Sequence, residues 1–100
     1  CAVTLAEVLH ASDVPGGVVN VLTATAGELL PHLAGHMDVN AVVYCGDIAG
    51  EIRDLQTRAA GNVKRVILRG GVDWASASSQ GPYEILDTQE IKTIWHPIGT

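Results

Sequence analysis

Three short β-branched runs recur along this chain, each followed within a few residues by glycine. They are Val18–Thr23 (VVNVLT), Ala41–Cys45 (AVVYC) and Val63–Leu68 (VKRVIL). The stretches between them are long enough to hold a helix each, and two parallel strands need a crossover of that kind. Alternation of buried strand and helix leaves few arrangements open. The one expected is an α/β, Rossmann-like parallel sheet with helices on both faces.

The helical stretches carry their own signals. Ala2, Leu5, Ala6 and Leu9 fall at helical spacing, which predicts a helix over 2–11 with one apolar stripe. Pro15-Gly16-Gly17 ends it and turns the chain. Thr25 and Glu28 have capping-box spacing and open a second helix toward His36. Pro31 is expected to kink that helix or delay its start, and Gly35 to stop it. Ile48, Ile52, Leu55 and Ala59 form the stripe of a third helix, reaching Ala60. Asp47 is its expected N-cap, Asp54 and Arg58 an i,i+4 ion pair, and Gly61-Asn62 its stop. Residues 73–82 read as loop. Glu90–Trp95 alternates polar and apolar residues, as a half-exposed strand does, and Pro97 suits an edge or terminal position.

A chain of 100 residues supports one modest core. Hydrophobic content of 47% against 17% charged excludes a disordered tail. The formal net charge of -5 gives no reason to expect nucleic acid or an anionic membrane as a partner. No apolar run approaches the ~20 residues that span a bilayer. The two cysteines make no disulfide framework. Cys45, at the end of an apolar run, reads as a buried reduced thiol, in keeping with a cytoplasmic protein. The start at Cys1 reads as a segment cut from a longer protein or as loss of earlier residues.

Few residues offer chemistry. Strand-turn-helix units bind phosphate where free N–H groups and a helix dipole meet it. Two such turns exist, Leu22 to Gly27 and Tyr44 to Asp47, and neither has the G-x-G-x-x-G pattern. His32 and His36 share a helical spacing that zinc ligands use, but no third ligand stands at a recognisable distance, so a helix-end role is expected and no metal. His10 reads the same way, and His96 beside Trp95 as interface. Ser76, Ser78 and Ser79 lack a histidine or acid at motif spacing. Trp74 and Trp95 read as core or interface cover.

The run DVPGGVVNVLT (Asp13 to Thr23), then HMDVNAVVYCGD (His36 to Asp47), then NVKRVILRGG (Asn62 to Gly71), resembles the cofactor-binding half of the aldehyde dehydrogenase superfamily in order and spacing. DTQEIKTIWHPI (Asp87 to Ile98) resembles the C-terminal strand with which those enzymes pair subunits. The resemblance implies a truncated cofactor-binding domain over 1–72, a loop over 73–86 where the catalytic domain belongs, and an oligomerisation strand over 87–100.

Carried over residue by residue, the resemblance makes Thr23, Ala24, Gly46 and Asp47 the vestigial cofactor-binding positions. Ala24 stands where the family usually has a turn glycine. Gly46 matches the glycine of the second turn. Asp47 replaces the hydroxyl residue beside the pyrophosphate, and its negative charge opposes a diphosphate. The family's general-base glutamate falls at Leu68 or Arg69, neither of which accepts a proton at neutral pH. Cys45 does not match the catalytic cysteine, so no catalytic residue is assigned.

Two readings follow. One is a non-catalytic domain with a structural or assembly role, binding no NAD(P). It would form a homo-oligomer, or join a longer aldehyde dehydrogenase subunit, through Glu90–Trp95. The other is a segment of a working NAD(P)-dependent oxidoreductase whose catalytic residues lie elsewhere.

Overall fold

A computed structural model describes residues 1–98; positions 99 and 100, the end of the expected C-terminal segment, lie outside the described residues. Helix α1 (Ala2–His10), helix α2 (Ala26–Gly35), strand β1 (Ala41–Tyr44), helix α3 (Ala49–Ala59), strand β2 (Arg65–Leu68) and the short helix α4 (Tyr83–Leu86) follow in order. The chain is an α/β, Rossmann-like unit built on β1–α3–β2. Its strands pair in parallel, Ala41 opposite Arg65 through Tyr44 opposite Leu68.

The core lies on one face of this sheet. Leu30 and Ala34 from α2, Leu55 from α3 and Tyr44 from β1 are buried together, with Val42, Ile52 and Val66 packed against them. Ile52, Leu55 and Ala59 of the α3 stripe face inward as their spacing requires, whereas Ile48 is the N-cap and is exposed, correcting its place in the stripe. α2 and α3 share this face. The other face, with Ala41, Val43, Arg65 and Ile67 by strand alternation, carries the segment after α4. Arg65 reaches across to the carbonyls of Gln89 (2.7 Å) and Thr88 (3.3 Å).

Local rules hold where the determinants are local. Thr25 and Glu28 form the complete capping box of α2, with Glu28 Oε2 accepting from the Thr25 amide at 3.1 Å and its hydroxyl at 2.8 Å. α2 runs through Pro31 to Gly35 without a break. Arg58 pairs with Asp54 at 2.7 Å. The third helix ends at Ala59 and passes through one 3-10 turn, Ala60–Asn62, so the left-handed residue is Val63 (φ 54°) and not Gly61.

Two expected strands do not form within the chain. Val18–Thr23 carries no ladder bonds. Asn20 Nδ2 instead donates to the Gly17 carbonyl at 2.9 Å, a local bond that competes with strand pairing. A strand is stabilised by cover, and α1, the helix that would cover this one, buries no residue. Val18 is left 66% exposed. Glu90–Trp95 likewise forms no strand pairing among the described residues, and Ile91, Ile94 and Trp95 on its two faces are exposed. Residues 73–86, expected as loop, hold a 3-10 turn at Ala77–Ser79 and α4.

Candidate functional site

In open α/β sheets ligands bind beyond the carboxyl ends of the strands, and there β1 and β2 finish side by side. The Arg69 amide donates to the Tyr44 carbonyl at 2.9 Å. The turns that follow are in close contact, since a β-carbon on Gly70 would lie 3.0 Å from the Gly46 carbonyl oxygen. Only glycine at 70 lets the second turn seat on the first without displacing backbone.

Gly46 has a different neighbour. The space its β-carbon would need is filled by the ring and hydroxyl of Tyr44. Tyr44 is buried, and its hydroxyl donates to Glu51 Oε2 in the first turn of α3. That hydrogen bond, then burial and the nearby negative charge, hold the phenol above its ordinary pKa. The other carboxylate oxygen of Glu51 lies 3.9 Å from where a Gly27 β-carbon would be. Glu51 thus sits between the first turns of α2 and α3.

Asp47 is exposed, and the N-cap of α3 is Ile48, with no side-chain cap. The expected capping by Asp47 does not occur. In extended conformation Ile48 places Asp47 one position too early to reach the amides of the first turn. Thr23 and Ala24 are exposed just ahead of Thr25, and the Thr23 hydroxyl makes no hydrogen bond among the described residues. The structure brings Gly46 and Asp47 to the strand ends and leaves Thr23 and Ala24 on the approach to α2.

Arg69 occupies the end of β2. Its Nε donates to Glu84 at 2.8 Å and its terminal nitrogen pairs with Asp87. The hydrogen bond to Glu84, reinforced by Asp87, raises its already high pKa. Arg69, one of the two positions to which the resemblance assigns the base, is a permanent cation engaged in holding α4. Leu68 beside it offers no acceptor.

The remaining candidates form no reactive pair. Cys45 is exposed, correcting the expectation of burial. Tyr44 takes the inward position in the strand alternation, so the next side chain turns to solvent. His36 caps the end of α2, and its Nδ1 accepts from the Asp38 amide at 3.2 Å. Among the described residues no three His, Cys, Asp or Glu side chains gather into a metal site. Ser76 and Ser78 bond to each other at 2.8 Å. Trp74 and Trp95 are both exposed. No helix among the described residues is long and apolar enough to cross a membrane.

A dinucleotide's diphosphate needs open amides, a glycine against which it packs and no opposing charge. Here Tyr44 covers the glycine, the carboxylates of Asp47 and Glu51 flank the start of α3, and the nearby cation, Arg69, is spent on Glu84 and Asp87. These residues do not fit the group.

Tyr44, Glu51 and the partners of Arg69 escaped sequence reasoning. Tyr44 reads in sequence as one more core residue, and its partner lies seven positions on, outside any local spacing rule.

A match to the aldehyde dehydrogenase family covers residues 1–76. A mitochondrial aldehyde dehydrogenase of Leishmania tarentolae is 37% identical over 73 residues, which are 70% of this chain and 14% of that protein. No solved structure matches the chain. With the order of motifs, the β1–α3–β2 unit and a match over most of its length all in agreement, the chain belongs to the aldehyde dehydrogenase family.

Proposed function

We propose that this is a non-catalytic aldehyde dehydrogenase domain with a structural or assembly role, acting as part of, or partner to, a longer aldehyde dehydrogenase. The observation that carries the reading is Arg69. The resemblance gives the proton acceptor's place to Leu68 or Arg69; the first has no acceptor, and the second is a guanidinium tied into the fold by Glu84 and Asp87. Cys45, the exposed thiol nearest the strand ends, has no base hydrogen-bonded to it among the described residues. Neither half of the chemistry of an aldehyde oxidation is in place.

The assembly half of the proposal rests on the tail. Ile91, Ile94 and Trp95 are exposed, and their segment forms no strand pairing among the described residues. A segment that presents free backbone groups and apolar surface together invites a partner strand. That partner is a second copy or a longer family subunit.

Two measurements test this. Purified chain with NAD or NADP and a panel of aldehydes is expected to reduce no nucleotide; turnover abolished by Cys45→Ala would overturn the non-catalytic reading. Sedimentation of the full chain is then compared with a chain ending at Gln89, which keeps the Arg65 and Arg69 contacts. Loss of a dimer on truncation supports pairing through Glu90–Trp95, and two monomers at tens of micromolar refute it.

The second reading, a segment of a working NAD(P)-dependent oxidoreductase, draws on the coverage: the chain spans 14% of the length of the relative it matches. A longer product carrying both a catalytic cysteine and a glutamate base would favour it.

A further inference from the structure

The first turns of α2 and α3 meet at the carboxyl end of β1, and one side chain of the chain itself stands between them. The Glu51 carboxylate accepts from the buried Tyr44 hydroxyl through Oε2 and faces Gly27 through Oε1. α3 has no side-chain cap, so the amides of its first turn have no side-chain acceptor at the N-cap. A carboxylate there meets the positive ends of helix dipoles, as an anionic ligand would. Tyr44 fixes it in place and fills the space beside Gly46.

We propose that Glu51, positioned by Tyr44, is the built-in anion of this junction and closes it to diphosphate. This deepens the non-catalytic reading, on which it rests for the identity of the excluded ligand. It also shifts the cause of exclusion. In sequence the opposing charge is Asp47, but Asp47 is exposed to solvent, where a like charge is screened. Glu51 is half-buried between the two helix ends, where screening is weaker and where the ligand itself would have to sit. Tyr44 acts by positioning the carboxylate and by occupying the glycine's open side.

The test uses the full chain and inorganic pyrophosphate, read by titration calorimetry and by the shift in thermal midpoint. Wild type and Asp47→Ser are expected to show no saturable binding. Glu51→Gln keeps an acceptor for Tyr44 and removes the charge; it is expected to bind pyrophosphate at least about tenfold more tightly than Asp47→Ser, the factor that about 1.4 kcal/mol of relieved repulsion yields. Tyr44→Phe keeps the carboxylate but frees it from the hydroxyl that positions it, so weak pyrophosphate binding, short of that of Glu51→Gln, is expected. If Glu51→Gln does not fold, Tyr44→Phe with Glu51→Ala removes hydroxyl and carboxylate together and carries the same expectation. Glu51 variants no better than wild type, or an equal gain from Asp47→Ser alone, overturn the proposal. Dehydrogenase turnover by the wild type would need a bound dinucleotide diphosphate and would defeat both readings, whereas saturable pyrophosphate binding by a wild type that reduces no nucleotide overturns this proposal alone.

Discussion

Replacing Lys64 by methionine sets two opposed effects against each other, and the structure decides which prevails. Lys64 is only 8% exposed, one residue before β2. Its Nζ donates to the carbonyls of Leu33 (2.6 Å) and His36 (2.8 Å). Burying an ammonium costs free energy, so an apolar replacement of similar length removes a penalty. Against that stand the carbonyls at the end of α2, which have no helical donors. The His36 oxygen keeps two other partners, Asn62 Nδ2 at 3.1 Å and the Val39 amide at 3.3 Å. The Leu33 oxygen keeps no backbone partner outside α2. A hydrogen bond to a charged group is worth about 1.5–3 kcal/mol net. With one carbonyl orphaned and the other merely weakened, Lys64→Met is expected to lose about 2–4 kcal/mol. That is a large share of the ~5–15 kcal/mol that stabilises a domain. At about 4–8 °C per kcal/mol for a chain of this size, the thermal midpoint falls by about 8–32 °C. Urea unfolding followed by circular dichroism gives the number. A variant within about 0.5 kcal/mol of wild type, or more stable than it, would refute the role of Lys64 as the C-terminal cap of α2.

Two further outcomes follow from the same geometry. Val63 is left-handed, β-branched and 92% exposed; Val63→Gly relieves about 1–2 kcal/mol of backbone strain and gives back about 0.5–1 kcal/mol in chain entropy, so a gain near 0.5–1 kcal/mol in urea unfolding is expected, and a loss contradicts it. The Tyr44 phenol is raised by its bond to Glu51, so its contribution is complete below the unfolded pKa near ~10 and fades as pH rises through the higher folded value; stability should fall on that alkaline limb and Tyr44→Phe should flatten it, whereas an unchanged limb rejects the bond's importance.

What was legible in the sequence was whatever a local spacing determines. The Thr25–Glu28 capping box and the Asp54–Arg58 pair depend on positions three or four apart along one helix. The stripe of Ile52, Leu55 and Ala59 set the packed face of α3, and two of the three β-branched runs became β1 and β2. The rest depended on what lies above or beside a residue. Val18–Thr23 has the composition of a strand, but strand preference measures fit to a covered surface, and no cover is present. Lys64 reads as a solvated charge until α2 places Leu33, 31 positions away, at its tip. The clamp of Arg69 on Glu84 spans 15 positions and a stretch whose composition signals only loop.

The proposed loss of chemistry and the survival of the fold have one physical origin. Residues that hold β1–α3–β2 together, Val42, Leu55 and Val66 among them, point into the core, while the positions that the resemblance gives to cofactor and base lie at the strand ends and on the turns beyond them. Turns can change without disturbing packing, so function is the more easily lost. Beside those turns the side chains serve structure: Tyr44 and Glu51 bind each other, and Arg69 holds α4. Such a domain still lacks enough cover for itself. α1 buries nothing, and Val3, Leu5 and Val8 are exposed along it. The radius of gyration, 16.9 Å, exceeds the ~13 Å of a compact domain of this length. Large exposed apolar patches mark interaction sites, and the exposed apolar residues of α1 and of the segment after α4 are the surface on which the proposed assembly role rests.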